Sequence, residues 1–208
     1  MAHYFSHEFL SQADYMVELH GGDIPEALTP FNIHPVTGNA DVDDKARAMA
    51  IAYNIPLVVA GKASDPGNPP RSAFGTTALR GKPAILCESG QQGILNMAEV
   101  ETHLTGLRNV LIHLGMLPGQ IVNSVKRTFI ADYTAIRSEM DGMWYPSVKL
   151  NDMVKKDQAV GCTRDYFGQD ILEIKAQLDG IVTVIRTSPA VKAGNVLIEH
   201  GRITGREE

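Results

Sequence analysis

The sequence predicts an α/β fold over its first 122 residues, followed by a small all-β domain. Up to Gly119, short apolar segments typical of strands alternate with segments typical of helices. This alternation favours a mixed, largely parallel sheet with helices. From Val125 onward, short strand-like segments and turns follow one another with no helix-length period. We therefore expect two domains, residues 1–122 and 123–208.

The first half contains strand and helix signals in alternation. Apolar residues at helical spacing occupy residues 3–13, and the apolar segment 15–19, which stops at His20, is typical of a strand. A helix is expected over 43–53, because Asp43 or Asp44 is a suitable N-cap. The further elements predicted here are a strand over 56–60, a loop over 63–70, a helix over 72–79 and a strand over 83–87.

A long amphipathic helix is predicted from about Leu95 to Met116, and Pro118-Gly119 should end it. Its apolar residues recur at helical spacing and form one stripe, which we expect to face the core. The stripe consists of Val100, Leu104, Leu107, Leu111 and Leu114.

An internal repeat marks the C-terminal segment. Residues 154–160, VKKDQAV, resemble residues 191–197, VKAGNVL, and an apolar segment over 180–184 lies between them. Two copies of a strand–turn–strand unit are typical of a small pseudo-symmetric β-sandwich. The sequence therefore predicts a compact β-domain of this kind.

Composition excludes several classes of function. The net charge is −5 and no basic run is present, so a nucleic-acid partner is not expected. No apolar run approaches the roughly 18 residues that cross a bilayer, and the N-terminus lacks a signal-peptide pattern. Two distant cysteines form neither a disulfide framework nor a zinc knuckle. We expect a cytoplasmic protein that acts on small molecules, with a homo-oligomer as an open alternative.

Two residues stand at the ends of predicted strands, where ligands bind in open α/β sheets. His20 precedes two glycines and can act as a metal ligand, although a histidine satisfied within a turn is the alternative. Glu88 ends the strand over 83–87 and precedes Ser89-Gly90. Partial burial there would raise the pKa of its carboxyl towards that of a general base. A helix N-cap or a structural ion pair is the alternative for Glu88.

Further polar residues flank these two positions. Arg71 and Arg80 lie on either side of the helix over 72–79, and either could bind a substrate carboxylate through both guanidinium donors. Asp23 and Glu26 could orient His20. We interpret His103 as a surface or packing residue. Cys87 could be a nucleophile, but a thiol inside an apolar strand is more typical of an inert core.

The segments DYMVELHGGD, residues 14–23, and GKPAILCESG, residues 81–90, resemble two motifs of the succinylglutamate desuccinylase/aspartoacylase family. Residues 142–194 resemble the appended β-domain of that family, and the order of the motifs is kept. The resemblance implies a partial zinc-carboxypeptidase-like fold with a barrel-sandwich or lipoyl-like β-domain. It also implies hydrolysis of an N-acyl amino acid or a related amide. His20 would then be a zinc ligand, and Glu88 would pass a proton from the water to the leaving amine.

The sequence departs from this family at the other metal ligands. The family holds zinc with an early His-x-x-Glu motif as well, and this sequence contains none. We expect a chain that lacks the N-terminal part of the family and binds zinc poorly alone. The family's substrate arginine is not matched cleanly, because its register falls near Ala78, with Arg80 two residues on. A non-catalytic module of the biotinyl/lipoyl type is the alternative, although residues 164–170 offer no lysine for modification.

Overall fold

The computed structural model describes residues 4–64 and 72–207. A short π-helical segment, Phe5–Leu10, precedes three α-helices and thirteen strands among these residues. The helices are α1 (Ala40–Ala52), α2 (Ala73–Leu79) and α3 (Met97–His113). The strands are β1 (Met16–His20), β2 (Glu26–Leu28), β3 (Phe31–Val36), β4 (Leu57–Lys62), β5 (Ala84–Glu88), β6 (Thr128–Arg137), β7 (Gly142–Pro146), β8 (Met153–Val154), β9 (Ala159–Arg164), β10 (Asp170–Lys175), β11 (Gly180–Arg186), β12 (Ala190–Val191) and β13 (Val196–Arg206).

Nine strands form one sheet in the order β1-β5-β3-β4-β6-β13-β11-β2, with β8 also paired to β11. From β1 to β6 the pairs are parallel, except that β5 and β3 are antiparallel. This part confirms the predicted mixed α/β fold with a largely parallel sheet. The strands β2 and β3 were not predicted, since the residues 26–36 carry no strong alternation of polar and apolar side chains.

The two faces of this sheet are covered differently. Side chains alternate between faces along each strand, so Val17, Ile85 and Cys87 point to the face covered by α1 and α3, where they form one apolar cluster with Met49, Tyr53 and Val110. Met16 and Leu86 point to the other face and pack against Phe74 of the short helix α2. Because α2 has only seven residues, this second face retains room for a functional site.

One end of α1 and one end of α3 differ from the sequence-based prediction. α1 begins at Ala40 rather than near Asp43, because the Asp43 carboxylate accepts hydrogen bonds from Thr37 and Gly38 and thereby fixes the preceding turn. α3 ends at His113 instead of Met116, since Gly115 adopts a left-handed conformation (φ 71°) that closes the helix with a Schellman motif.

The predicted stripe on α3 was also wrong in part. Leu104 is 57% exposed, and the fully buried positions of the helix are Gly106, Asn109 and Val110. The ring of Tyr53 packs against the helix at Gly106, where a side chain of any size would overlap it. The buried face therefore centres on a glycine, which a pattern of large apolar residues cannot reveal.

The C-terminal strands enclose a second core. A smaller sheet, in the order β10-β9-β7-β12, contributes Trp144, Val160 and Val191, and the larger sheet contributes Leu197 and Ile198. The internal repeat forms two matching turns between short strands. In one, the side chain of Gln158 accepts a hydrogen bond from the Lys155 amide, and in the other Asn195 does so from Lys192.

The larger sheet runs through both halves of the sequence. β6 pairs with β4 in parallel, and β2 from the N-terminal half pairs with β11. Main-chain hydrogen bonds thus join residues 1–122 to residues 123–208 within one sheet. The division of the chain into two domains at this point stays a prediction. Among the described residues, no helix is long and apolar enough to cross a membrane.

Candidate active site

His20 and Glu88 occupy directly opposed positions on the parallel strands β1 and β5. Nδ1 of His20 lies 3.3 Å from Oε1 of Glu88. The side chains are 42% and 17% exposed, so the imidazole is open to solvent while the carboxylate is largely enclosed. The structure therefore brings together the two residues that the sequence singled out, on the sheet face opposite α1 and α3.

The other nitrogen of His20 contacts Glu18, which precedes it by two residues and shares its face of β1. Nε2 of His20 lies 3.1 Å from Oε1 of Glu18, and Oε2 of Glu18 accepts a hydrogen bond of 2.9 Å from the amide of Phe74. Glu18 thus orients the imidazole and caps the first turn of α2 at the same time. Sequence reasoning missed Glu18, although its i−2 spacing from His20 in a strand was a usable signal.

Burial is the main cause that raises the pKa of Glu88 to about 7. The nearby His20 opposes this rise, and the negative charges of Glu199, Glu26 and Asp23 reinforce it. Oε2 of Glu88 is buried and has no hydrogen-bond partner among the described residues. With a pKa of about 7, the carboxyl of Glu88 exchanges its proton near neutral pH.

A second polar cluster lies beside Glu88, on strands of the C-terminal half. The hydroxyl of Tyr133 donates a hydrogen bond of 2.8 Å to Oε2 of Glu199, and it lies 2.8 Å from Oγ1 of Thr183. Burial raises the pKa of Glu199 despite this hydrogen bond. The charges of Glu88 and Glu199 both help to raise the pKa of Tyr133, for which burial is the first cause. Strands of both halves of the sequence thus contribute to the site.

The glycine-containing segments that follow β1 and β5 form turns that meet beyond the strand ends. The amide of Gly22 donates a hydrogen bond of 2.8 Å to the carbonyl of Gly90, and that of Ser89 donates one of 3.1 Å to the carbonyl of His20. A cleft of about 210 Å³ lies against these turns. A larger cleft of about 720 Å³ lies elsewhere on the sheet, and its lining includes neither His20 nor Glu88, although Tyr133 contributes to it.

Asp23 and Glu26 lie near Glu88, and their negative charges help to raise the pKa of its carboxyl. We had expected them to orient His20 instead. The imidazole of His20 contacts Glu18 and Glu88. Oε2 of Glu26 accepts a 3.3 Å hydrogen bond from the amide of Asp23, which closes the turn after the glycines.

Of the two candidate arginines, only Arg80 lies among the described residues, and its guanidinium is not brought to the pair. Nη1 of Arg80 donates a hydrogen bond of 2.9 Å to the carbonyl of Ser6, and Arg80 precedes β5, whereas Glu88 ends that strand. Arg71 lies outside the described residues. Substrate binding by either arginine stays a prediction.

Cys87 is fully buried and its side chain lies on the face covered by α1 and α3. Burial raises the pKa of its thiol well above the usual value, so a thiolate nucleophile is disfavoured. Cys87 is a core residue, as its position in an apolar strand indicated.

The donors that the structure describes do not make up a zinc site. A catalytic zinc takes three protein ligands and leaves one position open. Within residues 4–64 and 72–207, no group of three or more His, Cys, Asp or Glu side chains converges in a way that could hold a metal ion. Of the described residues, only His20 was predicted as a ligand, and both its nitrogens contact carboxylates.

Comparison with known structures shows which proteins share this fold. A succinylglutamate desuccinylase/aspartoacylase from Rhodobacter sphaeroides superposes with a TM-score of 0.80 at 19% identity, covering 98% of this chain and 63% of that one. The product-bound ectoine utilization protein EutE (DoeB) from Ruegeria pomeroyi gives 0.81 at 24% identity, with 97% and 62% covered. The chain has the fold of the succinylglutamate desuccinylase/aspartoacylase proteins. The resemblance seen in the sequence is thereby confirmed.

A search with family models gave no match. Among curated proteins, the N-alpha-acetyl-L-2,4-diaminobutyric acid deacetylase of Halomonas elongata is 23% identical over 204 residues, which cover 95% of this chain and 58% of the deacetylase. The chain thus spans about three fifths of the length of these relatives. His20 and Glu88 lie within a desuccinylase/aspartoacylase fold, on the two strands whose motifs indicated it.

Proposed function

We propose that this chain carries the His20–Glu88 part of the active site of a deacylase that hydrolyses an N-acyl amino acid or a related amide. The observation that carries the proposal is the 3.3 Å approach of Nδ1 of His20 to Oε1 of Glu88, on opposed positions of β1 and β5. The curated relative is a deacetylase, and structural relatives are desuccinylase/aspartoacylase proteins, which supports this class of reaction.

Glu88 is the general base and acid in this proposal. With a pKa of about 7, its carboxyl is partly ionised at neutral pH and can take a proton from the attacking water. The same carboxyl then hands that proton to the leaving amine.

Zinc dependence is the second part of the proposal and rests on the resemblance. When bound, zinc would polarise the acyl carbonyl and lower the pKa of its water. His20 would be one ligand, oriented by Glu18 as carboxylates orient metal-binding imidazoles elsewhere. Since the described residues do not fit a complete zinc site, the other ligands would have to come from outside them.

The charges around Glu88 favour a substrate that carries an ammonium group. Glu199, Glu26 and Asp23 place negative charge near Glu88. The substrate in the name of the Halomonas relative, an Nα-acetylated diaminobutyrate, has a free side-chain amine. We therefore propose an N-acyl diamino acid as the first substrate to test, ahead of N-succinylglutamate, whose additional carboxylates these charges would repel.

The test measures acyl release from both substrates, with added Zn²⁺ and after removal of metal by a chelator. Activity that requires zinc and is lost in Glu88→Gln supports the proposal. Glu173→Gln is the matched control, because Glu173 is an exposed glutamate on β10. Full activity in Glu88→Gln contradicts the role of Glu88, and activity that resists chelation contradicts the zinc part alone.

A non-catalytic binding module of the biotinyl/lipoyl type is the alternative outcome. The turn between β9 and β10 exposes Tyr166 and Phe167 and contains no lysine that could carry a prosthetic group. A zinc-loaded chain that hydrolyses neither substrate would favour this alternative, and a mass increase matching a lipoyl or biotinyl group would decide for it.

A further inference from the structure

We infer that His103, on α3, is a positioning residue that holds the ends of β1 and β5, and hence His20 and Glu88, in register. Nε2 of His103 lies 3.0 Å from the carbonyl oxygen of His20 and 3.1 Å from that of Ser89. Carbonyl oxygens only accept hydrogen bonds, so Nε2 carries the hydrogen and donates to both. One side chain thus joins the last residue of β1 to the residue that follows β5.

Tyr53 fixes the orientation of this imidazole. Its hydroxyl lies 2.7 Å from Nδ1 of His103. A ring nitrogen without a hydrogen accepts, so with the ring hydrogen on Nε2 the lone pair of Nδ1 faces the Tyr53 hydroxyl. Tyr53 is fully buried at the end of α1, and its ring packs against α3 at Gly106. The imidazole is therefore held from the core side, and its edge-on contact with the Tyr53 ring agrees with the expected packing role.

The contacts of His103 lie at the paired ends of the two strands. The carbonyl of His20 also accepts the 3.1 Å hydrogen bond from Ser89, and Gly22 and Gly90 are joined just beyond. These are the final main-chain hydrogen bonds between the two strand ends. Displacing a reacting group by about 1 Å can cost about 100-fold in rate, so a fixed main chain at His20 and Ser89 matters for the reaction. In that respect the inference rests on the proposed function.

A matched pair of variants tests the inference. The amide nitrogen of His103→Gln can occupy the place of Nε2 and donate to both carbonyls, whereas the shorter side chain of His103→Asn reaches only the place of Nδ1. We expect the Gln variant to retain kcat within about threefold, and the Asn variant to lose about tenfold or more with KM almost unchanged. His113→Asn, at the exposed end of the same helix, is the control and should leave both constants unchanged.

Amide hydrogen exchange supplies a readout that needs no substrate. We expect exchange at Ser89 and Gly22 to be about tenfold faster in His103→Asn than in His103→Gln, with the amide of Ile198 in the second core unchanged. Equal exchange and equal kcat in the two variants would overturn the inference, even if the wild-type protein is a deacylase. If the wild-type protein hydrolyses no substrate, the exchange rates alone decide.

Should His103→Asn fail to fold, Tyr53→Phe is measured, and unchanged exchange at Ser89 then overturns the inference.

Discussion

Glu88 faces His20 across two parallel strands, with Oε1 3.3 Å from Nδ1, while its other carboxylate oxygen is buried without a partner among the described residues. Such a carboxyl is costly to ionise, because burial separates it from water and only one of its oxygens contacts another side chain. The elevated pKa of Glu88 therefore affects stability as well as chemistry. We expect consequences of this arrangement both for folding and for the rate.

Glu88→Gln should stabilise the protein at pH 8 but not at pH 4. The pKa of Glu88 is raised from 4.5 to about 7 in the folded state. Below about pH 4.5 the Glu88 carboxyl is neutral in the folded and the unfolded protein, and its full contribution to the free energy of unfolding is present. This contribution is lost as the pH rises through 7, where the buried carboxyl ionises. A shift of this size corresponds to roughly 3 kcal/mol at most, and we expect about 1–2 kcal/mol because solvent reaches part of the side chain.

Urea denaturation at the two pH values measures this difference. Glu173→Gln is the control, since Glu173 is exposed, and its effect should be small at both pH values. An equal effect of Glu88→Gln at pH 4 and pH 8 would show that the folded protein does not resist ionisation of Glu88.

Glu199→Gln should move the acidic limb of the pH–rate profile to lower pH. The charge of Glu199 is one of the causes that raise the pKa of Glu88, so its removal makes Glu88 easier to ionise. The amide oxygen of Gln can still accept the hydrogen bond from Tyr133, which keeps the local packing. The profile of kcat/KM from pH 5 to 9 measures the shift, with Glu173→Gln as the control. An unmoved limb would mean that Glu88 is not the base whose ionisation sets the rate.

Glu18→Ala should destabilise the protein by about 1–2 kcal/mol, because the amide of Phe74 loses its acceptor in the first turn of α2. Glu18→Gln keeps an oxygen for this amide and should lose less. Thermal unfolding of both variants measures the effect, and Glu173→Ala is the exposed control. If Ala and Gln variants unfold at the wild-type temperature, Glu18 does not hold α2 against β1.

The sequence predicted where His20 and Glu88 lie along their strands, because a polar residue after an apolar run marks a strand end. It could not predict that the two strands are neighbours in register, since pairing depends on contacts between residues almost 70 positions apart. For the same reason Tyr133 and Glu199, from strands of the C-terminal half, were missed. The hydrogen bonds of His103 could not be predicted, because the acceptors are main-chain carbonyls and these leave no trace in the pattern of side chains.

Gly106→Ala should destabilise the protein more than Leu104→Ala, which reverses the order that side-chain size suggests. The methyl group that Gly106→Ala adds would overlap the ring of Tyr53. Overpacking of this kind costs about 1–3 kcal/mol, and the better helix propensity of alanine offsets about 1 kcal/mol of it. Leu104 is 57% exposed, so its truncation should cost about 0.5 kcal/mol or less.

Urea denaturation of both variants tests this order. A shifted Tyr53 ring would also move the hydroxyl that contacts His103, so exchange at the Ser89 amide should accelerate in Gly106→Ala and stay unchanged in Leu104→Ala. A larger loss of stability in Leu104→Ala would instead show that the stripe of large apolar residues is the buried face of α3. Because Tyr53 touches both Gly106 and His103, the packing of this helix and the register of the strand ends should change together.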